Sequence, residues 1–467
     1  MLTAPSEFFD VARLRAERGT LLAEAARRAR AYLDGLDDRR VAPSGAQVAA
    51  LARFDEPLPE MPSAGVDTLA LLDEVGSPAT VASAGARFFG FVTGGALPAA
   101  VAAAWLASAW DQNGAMRVMS PAACAIEATA RRWLVDLLGL PRGTHVSFVT
   151  GTTTADMTAL VAARHAVLQR HGWDVETRGL AGAPSIQVIV GQEVHTSMYR
   201  ALSVIGLGRD QIHHVPADDQ GRIRADALPP IGGPTIVCLQ AGNVNTGAVD
   251  PVGDICRRIE GTGAWVHVDG AFGLWASVSS RHRQLADGFA EADSWVSDGH
   301  KWLNVPYDCG LAFVRRVEPL REALAMSAHY LVQDHLADPM NTTLEASRRA
   351  RGIEVWAVLR SLGRQGVEAL IDQSCRLARR FADGLRDAGY DVLNEISLNQ
   401  VLVAFGDADR TNRVIRELQA EGTCWCGGTS WRGRTAMRIS VSGWATTDAD
   451  VDRSLAAMIR LAGHARR

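Results

Sequence analysis

The sequence predicts an α/β protein: a mainly parallel central sheet, a helical arm before it and a smaller α+β unit after it. Three observations carry this. From about residue 81 short apolar runs alternate with helical stretches, the pattern of strands joined by helical crossovers. The runs themselves, TIVCLQ (235–240) among them, read as buried strands. The chain has 467 residues, 47% of them apolar and 21% charged, enough to bury a large core and unlike a disordered or fibrous chain.

Residues 1–80 form the expected N-terminal helical arm, with acidic and basic faces, a proline-rich break EPLPEMPSAG (56–65) and a further helix over 66–75. Residues 91–110 carry no charge, which is membrane-spanning length. Ala, Gly, Ser, Thr and Pro dominate there, however, and these insert weakly, so a buried helix is expected instead. In the large unit, 81–345, strands are expected at HVSFVT (145–150), SIQVIV (185–190), TIVCLQ, AWVHVD (264–269) and CGLAFV (309–314). Helices are expected over 154–170 and 251–261, and ligands at the carboxyl ends of the strands. The small unit, 346–467, is expected to hold helices over 352–362 and 366–389, strands at VLVAF (401–405) and AMRISV (436–441), and a last helix over 447–462.

A formal net charge of −4 leaves no electrostatic footprint for nucleic acid or anionic lipid. Seven cysteines without a C-x-x-C spacing make neither a disulfide framework nor a zinc site, which predicts a reducing cytoplasm and no metal. Cys424 and Cys426 flank Trp425, but two thiols without further ligands hold no metal. The first twenty residues lack the basic end and apolar run of a signal peptide.

The basic residues are more informative. Of 48, all but one are arginine, and the exception is Lys301. On a solvated surface the two side chains exchange cheaply. Arginine keeps its proton, whereas a lysine amine in the right setting becomes a neutral nucleophile. The chemistry that needs this is mainly imine formation and amine base catalysis. The surroundings of Lys301, SDGHKWLNVPYDCG (297–310), are poor in charge and unlike a solvated face; survival of one lysine by chance is the bland alternative.

Other candidates stand at strand ends. Gly151, Thr152 and Thr153 follow the first strand and open a helix, where free N–H groups and the helix dipole suit a phosphate. Ordinary helix capping explains them equally simply. Neither a nucleoside-triphosphate loop nor a dinucleotide fingerprint is present. Asp269 ends AWVHVD, where a turn-initiating role is the simple alternative. His195, in EVHTSMYRAL, is a catalyst or a cap. One cofactor explains all of these: pyridoxal 5'-phosphate needs a lysine, a phosphate cup, an acid for its ring nitrogen and a flat group on its ring.

The blocks WVHVDGAFG (265–273) and HKWLNVPYDCG (300–310), with EVHTSMYRALSVIGLG (193–208), NTGAVDP (245–251) and MRISVSGWATT (437–447), resemble the group II pyridoxal-phosphate-dependent amino-acid decarboxylases. That family contains the aromatic-L-amino-acid and glutamate decarboxylases and has the aspartate aminotransferase fold, fold type I. The resemblance implies that Lys301 carries the cofactor, Asp269 pairs with its ring nitrogen, His195 stacks on one ring face and Ala271 packs on the other. It places Gly151, Thr152 and His300 at the phosphate and Thr246 near the carboxylate or ring oxygen. Arg438 matches a position that binds a substrate carboxylate. Asp298-Gly299 stand where many relatives have Asn-Pro, which alters the expected phosphate contacts. The family's mobile loop corresponds to about 329–347, where Tyr330 is not assignable as the proton donor, and His329 and His335 read as solvated loop residues.

The expected reaction is decarboxylation of an L-amino acid to CO₂ and an amine. The same cofactor breaks other bonds too, so transamination, decarboxylation-dependent transamination and aldol cleavage stand as alternatives, with a silent pyridoxal-binding protein behind them. Phe88, Phe89, Asn113 and Trp431 are pocket candidates that serve equally as core. A homodimer with its site at the subunit interface is also expected, the N-terminal arm clasping the partner.

Overall fold

The computed structural model describes residues 9–326 and 338–464. Its larger sheet has seven strands in the order β1-β7-β6-β5-β4-β2-β3. They are β1 (His145–Val149), β2 (Gln187–Gly191), β3 (Ile212–Val215), β4 (Thr235–Gln240), β5 (Trp265–Asp269), β6 (Ser294–Asp298) and β7 (Gly310–Val314). β2 to β6 pair in parallel, and β7 alone runs the other way between β1 and β6. The carboxyl ends of six strands therefore share one edge.

These strands read as continuous apolar runs because both faces are covered. Val237, Leu239, Val268 and Phe313 point into one core with Val355 and Val358 of the long C-terminal helix. Ile236, Cys238, Ala312 and Val314 point into the other, against the helices Thr152–Gln169 and Thr196–Val204. Two strands of this sheet escaped the sequence reading, as did β8 (Asp391–Val392) and β10 (Gly427–Trp431) of the smaller sheet. β3 is an edge strand, IHHV, with both histidines exposed. β6 is SWVSD, fully buried despite its polar residues; Ser294 meets the need for partners by accepting from Trp265 Nε1 at 2.8 Å and bonding His267 Nδ1 at 2.9 Å.

The helix Gly352–Asp387 breaks at Gly363, whose φ of 61° and ψ of −178° leave the helical region. This agrees with the two helices expected there. Its second half packs on an antiparallel four-stranded sheet ordered β10-β11-β9-β8. These are β8 (Asp391–Val392), β9 (Gln400–Ala404), β10 (Gly427–Trp431) and β11 (Arg434–Ser440), covered by the helices Ala408–Glu421 and Asp448–His464.

One expectation fails. The uncharged stretch 91–110 gives only a 13-residue helix, Pro98–Trp110, and Ala100 alone is fully buried. Trp105, Leu106 and Trp110 are exposed. Small residues let this helix lie close to its neighbour while its larger ones face outward. Among the described residues no helix is long and apolar enough to cross a membrane.

Candidate active site

The turn after β6 carries the lysine. Gly299 N and His300 N donate to Cys309 O at the start of β7, and Val305 N closes onto Gly299 O. Asn304 sits at a φ of 57°, a left-handed conformation that asparagine tolerates. Its Nδ2 donates to Trp302 O (2.8 Å) and Ser442 O (3.0 Å), and its Oδ1 accepts from Trp444 N (2.8 Å). The lysine turn is thus tied to the chain leaving β11. Gly94 crosses it so closely that a Cβ there would stand 1.9 Å from Lys301 O, so only glycine fits.

Lys301 opens into a cavity of about 540 Å³ at the carboxyl edge of the large sheet. Gly151, Thr152, Thr153, His195, Asp269, Ala271, His300 and Arg438 line it too, so the structure brings these expected residues together. Three others lie apart. Phe89 is core, edge-on to Phe381 at 5.0 Å, because its neighbours Phe91 and Val92 take the cavity wall. Asn113 Oδ1 accepts from Ala115 N and Arg348 N, which fixes a loop instead. The Thr246 hydroxyl is buried and donates to Gln220 O at 2.6 Å, so it is committed to backbone. Phe88 stacks on Trp425, and Trp431 packs with Leu402 and Ala436; neither lines the cavity. Tyr330, His329 and His335 lie outside the described residues. Cys424 and Cys426 are buried in the core of the small sheet, and no group of three metal-binding side chains occurs among the described residues.

Sequence reasoning missed Gln240, Ser197 and Asp298 as site residues. Gln240 ends β4 as Asp269 ends β5; its Oε1 accepts from His195 N (3.1 Å) and its Nε2 donates to Glu193 O (2.9 Å). Asp298 ends β6. Reading the last residue of every parallel strand as a site candidate would have found both. Ser197 N donates to His195 Nδ1 at 3.3 Å, and its hydroxyl lies 2.8 Å from the same nitrogen. The ring proton therefore sits on Nε2. Burial also pushes the His195 pKa down, which keeps the imidazole neutral.

The cavity fits pyridoxal phosphate on its own chemistry. Thr152 Oγ1 is buried without a hydrogen-bond partner, beside first-turn N–H groups that a helix start leaves free. A phosphate satisfies both. Asp269 is buried, accepts from Ala271 N at 3.1 Å, and is pushed up by burial against the pull of His195 and Lys301. A ring-nitrogen cation is the counter-charge this carboxyl needs. Arg438 is half-buried and desolvated, which lowers its pKa; its Nη1 reaches only Val244 O, at 3.4 Å, and no carboxylate pairs with it among the described residues. It is a guanidinium ready for a carboxylate.

Behind Asp269 lies a closed pair. His267 Nε2 stands 3.1 Å from Asp156 Oδ1, both side chains fully buried. Burial holds His267 down at about 3 and Asp156 well above its ordinary value. The two directions together make one shared proton the expected state of the folded pair, wherever that proton sits. The unfolded pair also holds one between about pH 4 and 6.5, and none above. Asp156→Asn leaves a neutral histidine that binds no proton when folded but one when unfolded below about pH 6.5. Urea midpoints should therefore shift in the variant's favour, relative to the parent, by about 1.4 kcal/mol per unit as pH rises from about 5 to 7. A pH-independent difference refutes the one-proton pair.

Comparison with known proteins shows the family and the fold. Residues 77–406 match the pyridoxal-dependent decarboxylase conserved domain. Tryptophan decarboxylase 1 of Oryza sativa subsp. japonica is 31% identical over 398 residues, 76% of each chain. The aromatic-L-amino-acid decarboxylase of Bacillus atrophaeus is 28% identical, over 78% of each. The crystal structure of Oryza sativa TDC with PLP and tryptamine superposes with a TM-score of 0.88 at 24% identity, covering 97% of this chain and 99% of that one, and shares its fold. With a family model spanning well over half its length and the predicted lysine, aspartate and histidine on one cavity, the chain belongs to the pyridoxal-dependent decarboxylase family.

Proposed function

We propose that this pyridoxal-phosphate-dependent amino-acid decarboxylase acts on an L-amino acid with a bulky apolar side chain, and does so as a homodimer. The observation that carries the substrate class is the cavity wall. Phe91, Val92, Val244 and Phe272 supply apolar surface, and the acids present, Asp269 and Asp298, are already engaged. A substrate with a distal ammonium meets no spare carboxylate there. The aromatic amino acids in the names of two relatives accord with this.

Bound pyridoxal phosphate supplies an electron-accepting ring for the electrons released when the Cα–carboxylate bond breaks. The chain's residues do the rest. Lys301 Nζ is the nucleophile that would hold the cofactor and would yield it to the substrate's amine. Asp269 keeps a proton at the ring nitrogen. His195 offers its flat, neutral ring, fixed through Gln240 and Ser197. Arg438 takes a carboxylate, which orients the substrate before reaction. Gly151, Thr152, Thr153 and His300 hold the phosphate.

Exposed apolar surface supports the dimer. The 24-residue helix Val11–Asp34 has no buried residue, and Leu14, Leu22, Trp105, Leu106 and Trp110 are all exposed. Such a surface suits a second copy of the chain. Incubation with each of the twenty L-amino acids, with CO₂ and amine followed by mass, tests the reaction. Amine and CO₂ from aromatic or large aliphatic substrates are expected. Keto acid instead of amine overturns decarboxylation, and preference for acidic or diamino substrates overturns the substrate class. Sedimentation of an active monomer overturns the dimer.

A further inference from the structure

Asp298 lies where the phosphate cradle and the lysine meet. Its side chain is buried; Oδ1 accepts from Thr152 N at 2.6 Å, and Oδ2 stands 3.0 Å from Lys301 Nζ. His300 Nε2 is 3.6 Å from Oδ1, while His300 Nδ1 accepts from Cys309 N, so the Nε2 proton faces the carboxylate. A carboxylate here poses two difficulties for a cofactor with a phosphate and an aldehyde. It repels the phosphate, and it stabilises the ammonium form of an amine that reacts only when neutral.

One proton transfer removes both difficulties. We propose that Asp298 is the proton acceptor for Lys301 during cofactor capture. The N–H bond of the Lys301 ammonium breaks, an O–H bond forms on Asp298 Oδ2, and both charges vanish together. The amine lone pair then adds to the aldehyde carbon, and condensation expels one water. The protonated Asp298 no longer repels the phosphate beside it and can donate to it, while Oδ1 still holds Thr152 N. This rests on the cofactor reading above and adds to it a residue that acts through Lys301.

The surrounding charges leave this role to Asp298. Among the described residues it is the side chain that hydrogen-bonds Lys301 Nζ. From β5, Asp269 acts on the lysine by charge alone, and the neutral Tyr307 phenol beyond the turn stacks on His300 at 4.3 Å. Asp308 bears on His300 and pairs with Arg351. His195, held neutral at the helix start, and Arg438, on β11, face the cavity without bonding the lysine. Asp156 lies beneath, its pKa raised by burial and tied to His267. For Lys301, burial favours the neutral amine, but the charge and hydrogen bond of Asp298 with the charge of Asp269 outweigh it and raise the pKa.

The pH dependence of capture distinguishes this role from a structural tether. Internal transfer exchanges no proton with solvent, so cofactor-free parent should take up pyridoxal phosphate at a rate nearly constant from about pH 6 to 9. In Asp298→Asn the amide oxygen still accepts from Thr152, but Lys301 must lose its proton to water. Its capture rate should then rise about tenfold per pH unit below the lysine's own pKa. Asp298→Ala is expected to behave alike and serves if the asparagine variant misfolds. Lys301 is the sole lysine, so acylation of its peptide, read by mass across pH, reports its basicity directly; the midpoint should fall by about one unit or more in either variant. Parallel rate profiles for parent and variants, a unit slope in the parent, or an unmoved acylation midpoint overturns the proposal. A parent that takes up no pyridoxal phosphate at any pH overturns the cofactor reading itself, which the acylation titration, run without cofactor, separates from the role of Asp298.

Discussion

Lys301→Arg should give a folded protein that does not hold pyridoxal phosphate through dialysis and whose kcat/KM falls on the order of 10⁴-fold or more, as loss of a covalent nucleophile does elsewhere. The substitution keeps the positive charge beside Asp298, so the ion pair at 3.0 Å has a replacement and the helix start remains balanced. What disappears is a nitrogen able to shed its proton and attack a carbonyl carbon. Lys301→Ala should show the same loss, which separates chemistry from the bulk of arginine. Retained visible colour and turnover in either variant would remove the basis of the mechanism.

Asp269→Asn should lower kcat by about 10³-fold while leaving the thermal midpoint nearly unchanged or higher. The carboxyl is buried at the end of β5, and its firm tie is to Ala271 N. An amide oxygen can still accept that bond, and a buried acid is removed. The cost falls on the reaction: without a counter-charge the ring nitrogen loses its proton and accepts electrons poorly, an effect of the size seen when a preorganised charge is deleted. Asp269→Glu should recover part of the rate. The check is kcat with saturating cofactor, beside cofactor affinity. A loss below about tenfold would show that Asp269 is a structural turn residue.

Much of this was legible because chemistry and folding left different marks. All five expected strands of the large sheet match to within two residues, since runs such as TIVCLQ are buried on both faces and admit little but apolar side chains. One of them, CGLAFV, runs antiparallel to its neighbours, and nothing local in a run of apolar residues encodes direction. β6 was missed because its polar residues find partners only in three dimensions, as Ser294 does between Trp265 and His267. Lys301 stood out by composition and Asp269 by its place at a strand end. Thr246 and Phe89 were misplaced for a common reason: each lies two residues from the cavity wall along the chain, while its side chain turns to a loop or a core; Asn113 is remote from the wall in sequence and fixes a loop through Ala115 N and Arg348 N. Sequence proximity locates a segment; the direction of one side chain is settled by packing.

The tie from Asn304 to Ser442 and Trp444 bears on how the protein is made. Ser442 follows Asn304 by 138 residues, so a ribosome has to deliver the strands of the small sheet before the turn holding the reactive amine gains these fastenings; a chain cut short of Ser442 should keep the large sheet and lack a competent centre.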